Sequence, residues 1–508
     1  MSSTLAVVLP GRSAGAAGAG LRDLALGALS DAGIDEIVVL TAEDGDPRPG
    51  NPRTPGFETR PTDGSVAHAL AVAADAGLRG GHDRILLHRL DHALTPATQI
   101  TAVLQALERG AAVAVPVLPV TDTITAVTGS VFGRTIDRTG VRAVCSPWGF
   151  TAASLAAAAE AGSAESRSAE ISAPNPGPDA HAVDAGLLRA GAAGAGGGPV
   201  AAVPGLPAGA FLGDDLSRRR LSLAHPDVSP LLPPLPALGA DLGDDLGAEV
   251  EGAAPSGAPR APSSRADDGA QAAAVVLAAG SGTRFGAPVN KAYLPLAGTT
   301  VLAHSLRRFA GLPGVGPVLL VIREDDRDRA RRVVTEVGAP VEIVVGGATR
   351  QASEEAALHH LSDRIRDGSI DIVAIHDSAR PLADERLCGR VLAAARRHGG
   401  AVPGVLRPEL AVGTRNGTGL LPGATGPLVA VQTPQAFSAA VLVDAYDAAR
   451  RAGFEGTDTA SVVAAHSGAV ARWVPAPATN LKITFAEDLP LAELLLAEQR
   501  SAAAGRGA

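Results

Sequence analysis

Two lysines and a glycine-rich turn are the residues of this sequence whose types and spacing could do chemistry. Lys291 and Lys482 are the only lysines among 44 Lys and Arg residues, so every other fixed cation is arginine. Arginine presents a planar fork and lysine a compact, rotatable ammonium, so the two do not replace each other where a point charge is needed. The two lysines therefore indicate such sites, with chance survival in an Arg-rich composition as the alternative.

The glycine-rich turn comes just before Lys291. Residues 274–286 read AVVLAAGSGTRFG, an apolar strand followed by glycines around Arg284. Glycines at the carboxyl edge of a strand let backbone N–H groups approach a polyphosphate, and an arginine adds a forked donor. The spacing fits neither GxxxxGK[ST] nor GxGxxG, which excludes a P-loop and a dinucleotide fingerprint. The turn and Lys291 together predict a polyphosphate site.

The elements that must position these residues alternate between short Val- and Ile-rich strands and longer helical stretches. This alternation predicts an α/β fold whose mainly parallel sheets are covered on both faces. The predicted strands of the second half are 273–277, 318–322, 341–345 and 370–375. The predicted helices are 302–309, 326–337, 351–360 and 385–397.

Length and composition limit the number of domains and the classes of partner that are expected. The 508 residues are 46% apolar and 19% charged, which suffices for two to four domains with ordinary cores. A net charge of −9 and the absence of a long basic run argue against nucleic-acid or membrane binding by the whole surface. Only Cys145 and Cys388 occur, and the amino terminus has no basic, apolar leader. We expect a cytoplasmic protein without a thiolate metal site.

A Pro-, Gly- and Ala-rich segment divides the chain. Residues 230–270 carry no helical or strand period and predict a flexible linker between domains at 1–229 and 271–508.

The two halves of the sequence also resemble each other. VPVL and SPWGF in the first half match VPGV and TPQAF in the second at one offset of 287 positions, from Pro116 to Pro403 and from Pro147 to Pro434. We predict a diverged tandem duplication, with two unrelated α/β domains as the alternative.

Seven motifs of the second half occur in an order that resembles a known family, the 2-C-methyl-D-erythritol 4-phosphate cytidylyltransferases. They are LAAGSGTRFG (277–286), KAYLPL (291–296), GGATRQAS (346–353), HDSARP (376–381), QTPQAF (432–437), TDTAS (457–461) and NLKIT (480–484). The ribitol 5-phosphate cytidylyltransferases share most of these motifs. The resemblance implies two Rossmann-like nucleotidyltransferase domains, CTP and a polyol phosphate as substrates, and Mg²⁺ or another divalent cation as cofactor.

The resemblance also assigns roles to individual residues. It implies catalytic roles for Arg284, Lys291 and Lys482, and a metal-binding role for Asp377. It places Lys482 on a short strand, 481–484, that returns to the α-phosphate. The nucleotide-binding positions are Ala278, Ala279, Gly280 and Gly282, together with Gly347, Arg350 and Ser353, which the resemblance puts on the cytosine and ribose side. The substrate-binding positions in this half are Arg380 and Thr457.

Simpler explanations exist for several of these residues. Asp377 could cap the next helix, Arg380 could be a surface arginine, and Ser353 could be solvated where a helix begins. Thr457 and Asp458 before a helix are also an ordinary N-cap sequence.

The reaction that the resemblance implies is nucleotidyl transfer from CTP. A phosphate oxygen of the acceptor attacks the α-phosphorus in line, and pyrophosphate leaves. Because the nucleophile is already an anion, catalysis needs positioning and charge neutralisation instead of a general base.

The first half has lost the residues that carry this chemistry. Its glycine-rich segment, LPGRSAGAAGAG, is followed by no lysine. Arg89 stands at the place of Asp377, and Phe211 stands near the place of Lys482. We predict that the first half cannot catalyse alone.

In the family, an Asp-Thr pair and a later Arg lie on an arm that reaches the neighbouring subunit's substrate pocket. The constant offset puts Glu409, Leu410 and Thr425 at those places in the second half, and Asp122, Thr123 and Arg138 in the first. We therefore hypothesise an intramolecular pseudo-dimer, open to further homo-oligomerisation, in which the first half contributes Thr123 and Arg138 to one substrate site. The alternatives are decay with Arg407 or Arg415 substituting locally, and pairing of second halves between chains.

The leading expectation is a CTP-dependent cytidylyltransferase acting on 2-C-methyl-D-erythritol 4-phosphate in non-mevalonate isoprenoid precursor synthesis. One alternative acceptor is ribitol 5-phosphate, and UTP or GTP is an alternative donor. A second class of function is a non-catalytic regulatory homologue, favoured by the degenerate half, by the missing arm residues and by Asn290, which stands where the family usually has Pro.

Overall fold

The computed structural model describes most of both halves and leaves the predicted linker, 230–270, outside its described residues. These residues are 3–9, 18–34, 36–42, 57–62, 65–92, 95–120, 122–169, 195, 200–204, 271–280, 290–407, 410–413, 419–421, 427–486 and 488–504. The predicted functional residues Gly282 and Arg284, and Phe211, lie outside them.

The described strands follow the predicted alternation with helices. They are Thr4–Leu9 (β1), Glu36–Ala42 (β2), Glu58–Thr62 (β3), Arg84–Arg89 (β4), Val113–Pro119 (β5), Ile124–Thr128 (β6), Val131–Ile136 (β7), Val141–Val144 (β8), Trp148–Thr151 (β9), Val200–Pro204 (β10), Gln271–Leu277 (β11), Pro295–Leu296 (β12), Thr299–Thr300 (β13), Val315–Ile322 (β14), Glu342–Val345 (β15), Ile370–Asp377 (β16), Gly400–Leu406 (β17), Leu410–Gly413 (β18), Gly419–Leu421 (β19), Leu428–Val431 (β20), Gln435–Ser438 (β21) and Arg472–Pro475 (β22).

The described helices complete the α/β pattern. They are Gly18–Asp31 (α1), Val66–Gly80 (α2), Ala97–Glu108 (α3), Ala152–Ala169 (α4), Val301–Ala310 (α5), Arg327–Val337 (α6), Arg350–Arg366 (α7), Glu385–His398 (α8), Ala439–Ala452 (α9), Thr459–His466 (α10) and Asp488–Ala504 (α11). Each of the four strands and four helices predicted in the second half is present, and α7 runs six residues further than predicted. None of these described helices is long and apolar enough to cross a membrane.

The chain forms two compact units, and each contains a segment from the other half of the sequence. Unit 1 comprises Met1–Thr121, Asp137–Pro236 and Arg407–Gly426, and unit 2 comprises Asp122–Ile136, Ala237–Leu406 and Pro427–Ala508. The predicted division into continuous halves therefore differs from the packing. The physical reason is strand pairing, because the hairpin β6–β7 joins β20 and β22 of unit 2, while β18 and β19 join β8 and β10 of unit 1.

Each unit contains one ten-stranded sheet, and the two sheets have the same strand order. In unit 1 the order from one edge is β3-β2-β1-β4-β9-β5-β8, followed by β18-β19-β10. In unit 2 it is β15-β14-β11-β16-β21-β17-β20, followed by β6-β7-β22. The shared order agrees with a tandem duplication.

The prediction of mainly parallel sheets holds only for part of each sheet. In unit 2, β15, β14, β11 and β16 are parallel, whereas β21 runs antiparallel to β16 and β17. The sheets are mixed because β21 returns directly beside β16 and because the hairpin adds antiparallel strands.

The core of unit 2 lies on both faces of its sheet. Along β11, Ala272, Ala274 and Val276 pack into one apolar cluster. Ala273 and Val275 pack into the cluster on the opposite face. Burial of both faces explains why the strand reads as an unbroken apolar run, and it leaves the strand ends as the place for polar chemistry.

Candidate active site

The centre of the candidate site is Asp377, the last residue of β16. This strand is parallel to β11, and Asp377 pairs with Leu277 at the carboxyl ends of both strands. The backbone N–H of Asp377 donates to the hydroxyl of Thr433 at 3.0 Å. Only 7% of the residue is exposed. The fold therefore fixes a carboxylate at the edge where open α/β sheets bind ligands.

Two cations hold the Asp377 carboxylate. Arg350 Nη1 donates to Oδ1 at 2.5 Å, and Lys482 Nζ donates to Oδ2 at 2.6 Å. Burial raises the pKa of Asp377, but Arg350, Lys482 and Arg380 together outweigh burial and hold the pKa well below its ordinary value. The carboxylate is therefore ionised at neutral pH.

The two lysines meet on one short segment, 480–484. Lys482 lies in that segment, and Lys291 Nζ donates to the carbonyl of Ile483, the next residue, at 2.7 Å. Two ammonium groups that are 191 positions apart in the sequence therefore come to the same edge of the sheet.

The predicted strand at 481–484 is wrong, because the segment joins no ladder. Its backbone bonds are spread over separate partners. Ile483 N–H donates to Ala379 O at 2.8 Å, and the Asp488 carboxylate accepts from the N–H groups of Thr484 and Phe485 at 2.8 and 2.9 Å. Asp488 thereby turns the chain into α11 before a strand can pair.

Asn290 has a structural role next to Lys291. Its Oδ1 accepts from Ala292 N–H at 3.1 Å and caps the short turn that carries the lysine. Its Nδ2 donates to Ala278 O at 2.7 Å and to Asp326 Oδ2 at 3.2 Å. The Asn290 amide therefore holds the turn with Lys291 against the end of β11. Asn290 fixes the position of this turn although the family usually has proline here.

Arg380 is buried, with 5% exposure, instead of lying on the surface. Its Nη1 donates to Asn480 O at 2.8 Å and its Nη2 to Val431 O at 3.4 Å. Nη2 also lies 3.8 Å from the carboxylate of Asp122, which precedes β6. In this arrangement the guanidinium holds segment 480–484 against β20 and the hairpin.

The predicted nucleotide-binding residues begin at the end of β11. Ala278 is buried, Ala279 half-buried and Gly280 exposed. Ala278 N–H donates to Val321 O at 2.8 Å. The exposure of the chain therefore increases from Ala278 to Gly280, just beyond the buried strand.

The loop between β15 and α7 is tightly packed. A Cβ on Gly347 would lie 2.4 Å from Ala352 Cβ, so this position requires glycine. Thr349 caps α7, and Ser353 Oγ donates to Thr349 O at 2.9 Å. Ser353 is buried, so the solvated alternative for it is wrong.

Thr457 and Asp458 lie at the start of α10. Asp458 accepts from Ser461 N–H at 3.0 Å, and Ser461 Oγ accepts from Asp458 N–H at 3.1 Å, a reciprocal capping box. Asp458 is therefore the N-cap that the sequence allowed. Thr457 is exposed just before the cap.

The predicted arm residues lie at the two ends of the hairpin β6–β7. Thr123 O accepts from Val431 N–H at 2.9 Å within unit 2. Arg138 lies two residues beyond β7, in unit 1. The structure thus places Thr123 beside β20. The contribution of Arg138 to the substrate site stays a prediction.

The constant offset mismatched the arm by one residue. Ile124 pairs with Ala430 of β20, and Leu410 pairs with Ala143 of β8, the equivalent strand. Leu410 therefore corresponds to Ile124 and not to Thr123. The chain of the second half is one residue shorter before this strand, so Glu409 and Pro408 align in sequence with Thr123 and Asp122. Pro408, Glu409 and Thr425 lie outside the described residues. The second half still lacks the Asp-Thr pair.

The equivalent edge of unit 1 keeps the geometry and loses the carboxylate. Leu9 pairs with Arg89 as Leu277 pairs with Asp377. Ser146 Oγ accepts from Arg89 N–H at 3.0 Å, as Thr433 does from Asp377. A cation at this strand end replaces the anion, in agreement with the predicted loss.

Several polar residues of the site were not predicted from the sequence. Glu354 is buried and accepts from Arg350 Nε at 2.9 Å, from Thr459 at 3.1 Å and from the Tyr446 hydroxyl. Asn480 Nδ2 donates to Gln432 Oε1 at 2.8 Å and to Thr433 O at 3.0 Å. Arg350 and Glu354 are four positions apart on one helix, and this spacing could have indicated their ion pair.

The donor set around Asp377 fits a divalent cation only when a substrate supplies further ligands. No group of three or more His, Cys, Asp or Glu side chains is placed to hold a metal within the described ranges. Mg²⁺ is often held by one or two carboxylates together with substrate phosphates, and Asp377 provides one such carboxylate.

The comparisons with known proteins agree with the two-copy arrangement. The family model described as IspD, 2-C-methyl-D-erythritol 4-phosphate cytidylyltransferase, matches residues 56–174 and 272–498, more than half of the chain. The chain belongs to this family. Both copies of the duplication are therefore members, and the chain is a nucleotidyltransferase homologue in each half.

Individual relatives match one half of the chain. The 2-C-methyl-D-erythritol 4-phosphate cytidylyltransferase of Cereibacter sphaeroides (strain ATCC 17023) is 40% identical over 233 residues, 44% of this chain and 96% of the relative. That of Solibacter usitatus is 37% identical over 240 residues, 45% of this chain and 96% of the relative. A crystal structure of the Thermus thermophilus enzyme has 32% identity and a TM-score of 0.33, and covers 44% of this chain and 98% of that one.

Proposed function

We propose that unit 2 transfers CMP from CTP to 2-C-methyl-D-erythritol 4-phosphate and releases pyrophosphate, a step of non-mevalonate isoprenoid precursor synthesis. One observation carries the proposal. Lys291 and Lys482 converge on segment 480–484 beside Asp377, at the carboxyl edge of the parallel strands. Two point charges beside a carboxylate at this edge suit a triphosphate whose charge must be neutralised during transfer.

The residues act on charge and position. A phosphate oxygen of the acceptor forms a bond to the α-phosphorus, and the bond from that phosphorus to the bridging oxygen breaks. Pyrophosphate leaves with the electron pair of that bond. Lys291 and Lys482 stabilise the charge that grows on the oxygens of the pentavalent phosphorus, and Arg284 adds a further donor from the glycine-rich turn.

Mg²⁺ or another divalent cation, if bound, would be held by Asp377 together with nucleotide phosphate oxygens, and would supply charge neutralisation there. Lys482 and Arg350 share that carboxylate in this structure. The remaining predicted contacts are Ala278, Ala279, Gly280 and Gly282 for the nucleotide, Gly347, Arg350 and Ser353 for its cytosine and ribose side, and Arg380 and Thr457 for the acceptor.

The first half supports this site from the same chain. The hairpin β6–β7 belongs to unit 2, and its first residues contact β20 and approach Arg380. We propose an intramolecular pseudo-dimer in which Thr123 and Arg138 complete the acceptor pocket, with residues 230–270 as a flexible linker. Unit 1 carries Arg89 where a metal carboxylate would be needed and has a supporting role.

A competing acceptor is ribitol 5-phosphate, since related cytidylyltransferases share most of the motifs. The arm would distinguish the two acceptors, and in this chain the arm of the second half lacks its Asp-Thr pair. A non-catalytic role is less well supported, because Asn290 fixes the Lys291 turn in place of proline.

Pyrophosphate release from CTP tests the proposal. Each acceptor is supplied separately at equal concentration with Mg²⁺, and UTP and GTP replace CTP in parallel assays. We expect release with CTP and 2-C-methyl-D-erythritol 4-phosphate at a kcat/KM at least tenfold above that with ribitol 5-phosphate. CTP binding without release from any acceptor would support the non-catalytic role instead.

A further inference from the structure

A second carboxylate, Glu354, lies behind the Asp377 cluster. It is 1% exposed and lies on the first turns of α7. Oε1 accepts from Arg350 Nε at 2.9 Å and from Thr459 Oγ1 at 3.1 Å, and Oε2 accepts from the Tyr446 hydroxyl. Burial raises the pKa of Glu354 and outweighs Arg350 and the two hydroxyl donors, which lower it. All three partners donate a hydrogen to its oxygens.

Arg350 therefore bridges two buried carboxylates. Its Nε–H is bound to Glu354 and its Nη1 to Asp377 at 2.5 Å. Two bonds at fixed points of a planar fork set the orientation of the whole guanidinium. Its Nη2 is buried and has no hydrogen-bond partner among the described residues. A buried donor without a partner is rare in folded proteins and marks a position where a ligand oxygen can bind.

The contact with Glu354 also leaves part of Asp377 to another cation. Arg350 gives its Nε–H to Glu354 and binds Asp377 through Oδ1 alone. Oδ2 of Asp377 is bound by Lys482.

We infer that Glu354 is a positioning residue that fixes Arg350 for the nucleoside part of the nucleotide. This inference rests on the proposed function, which puts Arg350 on the cytosine and ribose side of the site. Tyr446 of α9 and Thr459 of α10 hold Glu354 from two further elements, so the orientation of Arg350 depends on the packing of three helices.

The test is Glu354→Gln in the full chain, which keeps the shape of the side chain and removes its charge. The dissociation constant of CTP is measured by calorimetry, and inorganic pyrophosphate is measured as a competing ligand. We expect CTP to bind about tenfold more weakly, the inhibition constant of pyrophosphate to stay within about twofold, and the KM of the acceptor to stay within about twofold. A general loosening of the site would weaken CTP and pyrophosphate together.

Glu355→Gln is the matched control. Glu355 is the next residue of the same helix and accepts from Gln351 at 3.3 Å, away from Arg350. We expect it to leave CTP binding unchanged. Equal effects of the two variants, or a CTP affinity within twofold of wild type in Glu354→Gln, would overturn the inference.

Tyr446→Phe covers the case in which Glu354→Gln does not fold. It removes one donor to Oε2 and leaves both charges, so we expect CTP affinity to fall about threefold with pyrophosphate inhibition unchanged. An unchanged CTP affinity in a folded Tyr446→Phe would count against the inference. Wild type that binds CTP but shows no turnover would refute the proposed function alone, and wild type without CTP affinity would refute both.

Discussion

At the scale of single residues, the site is organised by what each cation contacts. Lys482 donates to Asp377, Lys291 donates to a backbone carbonyl, and Arg380 is enclosed by two carbonyls and a carboxylate. The lysines occupy the positions where a rotatable point charge can exchange partners. The arginine occupies the position where a fixed fork joins three segments. The choice between Lys and Arg in this chain follows that difference.

Lys482→Ala tests the point charge. We expect kcat to fall on the order of 100-fold, because a donor to the transition-state charge is removed. Lys482→Arg is expected to restore little of this loss, since a planar fork cannot take the place of an ammonium between Asp377 and a phosphate. Steady-state pyrophosphate release measures both. Arg450→Ala, which removes an exposed ion pair with Asp447, is the control and should behave as wild type. Recovery of full activity in Lys482→Arg would contradict the argument.

Protonation of His376 makes the free energy of unfolding depend on pH. Burial lowers the pKa of His376 to about 4, although Asp377 raises it, and Nδ1 and Nε2 are bound to Thr433 and to Arg380 O. The unfolded chain takes up a proton near pH 6.5 while the folded chain does not, so stability is lost as the pH falls from 6.5 toward 4.

We expect the free energy of unfolding to fall by about 2 kcal/mol between pH 7 and pH 5 through this group. Urea titrations at the two pH values measure it. His88, whose pKa burial lowers to about 3, acts in the same direction in unit 1. His376→Asn should therefore reduce the pH dependence without removing it. An equal slope in wild type and His376→Asn would show that His376 is protonated in the folded chain.

At the scale of elements, the loops at strand ends decide the chemistry. The tight turn from β15 into α7 places Arg350 at the first position of the helix, and the Asn290 cap places Lys291 after β11. Both depend on backbone geometry that only particular residues allow. The helices and strands behind them supply a rigid frame whose faces are buried on both sides.

Gly347→Ala tests the turn before α7. The new Cβ would lie 2.4 Å from Ala352 Cβ, so the first turn of the helix must shift, and Arg350 shifts with it. We expect CTP affinity to fall about tenfold in calorimetry. Gly389→Ala in α8 is the control, because its Cβ meets nothing within 4 Å. That variant should retain CTP affinity and gain about 0.5–1 kcal/mol of stability. Equal CTP affinity in both variants would show that the turn tolerates a side chain.

Much of the frame could be predicted from the sequence, and the reasons are local. Apolar runs such as 273–277 and the helical period of 385–397 are properties of neighbouring residues. The family resemblance carried by the motifs predicted that Asp377, Lys291 and Lys482 belong to one site. Glu354 and Asn480 were missed because their roles depend on partners more than 40 positions away, Tyr446 and Gln432. The mixed sheet was missed because the position of β21 beside β16 is a long-range property.

At the scale of the whole molecule, each half of the sequence supplies strands to the sheet of the other unit. Unit 2 takes strands β6 and β7 from the first half, and unit 1 takes β18 and β19 from the second. Without the exchanged strands, β20 would lose its pairing with β6, and β8 would lose its pairing with β18. Loss of the first half would therefore remove part of the sheet that carries the site.

Separated halves test this dependence. Residues 271–508 alone would expose the edge of β20 and leave Arg380 without Asp122. We expect this fragment to be nearly inactive in pyrophosphate release and to regain turnover when residues 1–229 are added. Circular dichroism of the fragment is the control for folding. Full turnover by the fragment alone would show that the first half is dispensable.

In the proposed pseudo-dimer, the first half completes an acceptor pocket for one active site in unit 2. The most direct test of this claim is pyrophosphate release from CTP and 2-C-methyl-D-erythritol 4-phosphate by Arg138→Ala in the full chain. We predict that kcat/KM for the acceptor falls on the order of 100-fold while the dissociation constant of CTP stays within about twofold, because the proposed arrangement has the guanidinium of Arg138 complete the acceptor pocket and not the nucleotide site. Full activity in Arg138→Ala would contradict the claim.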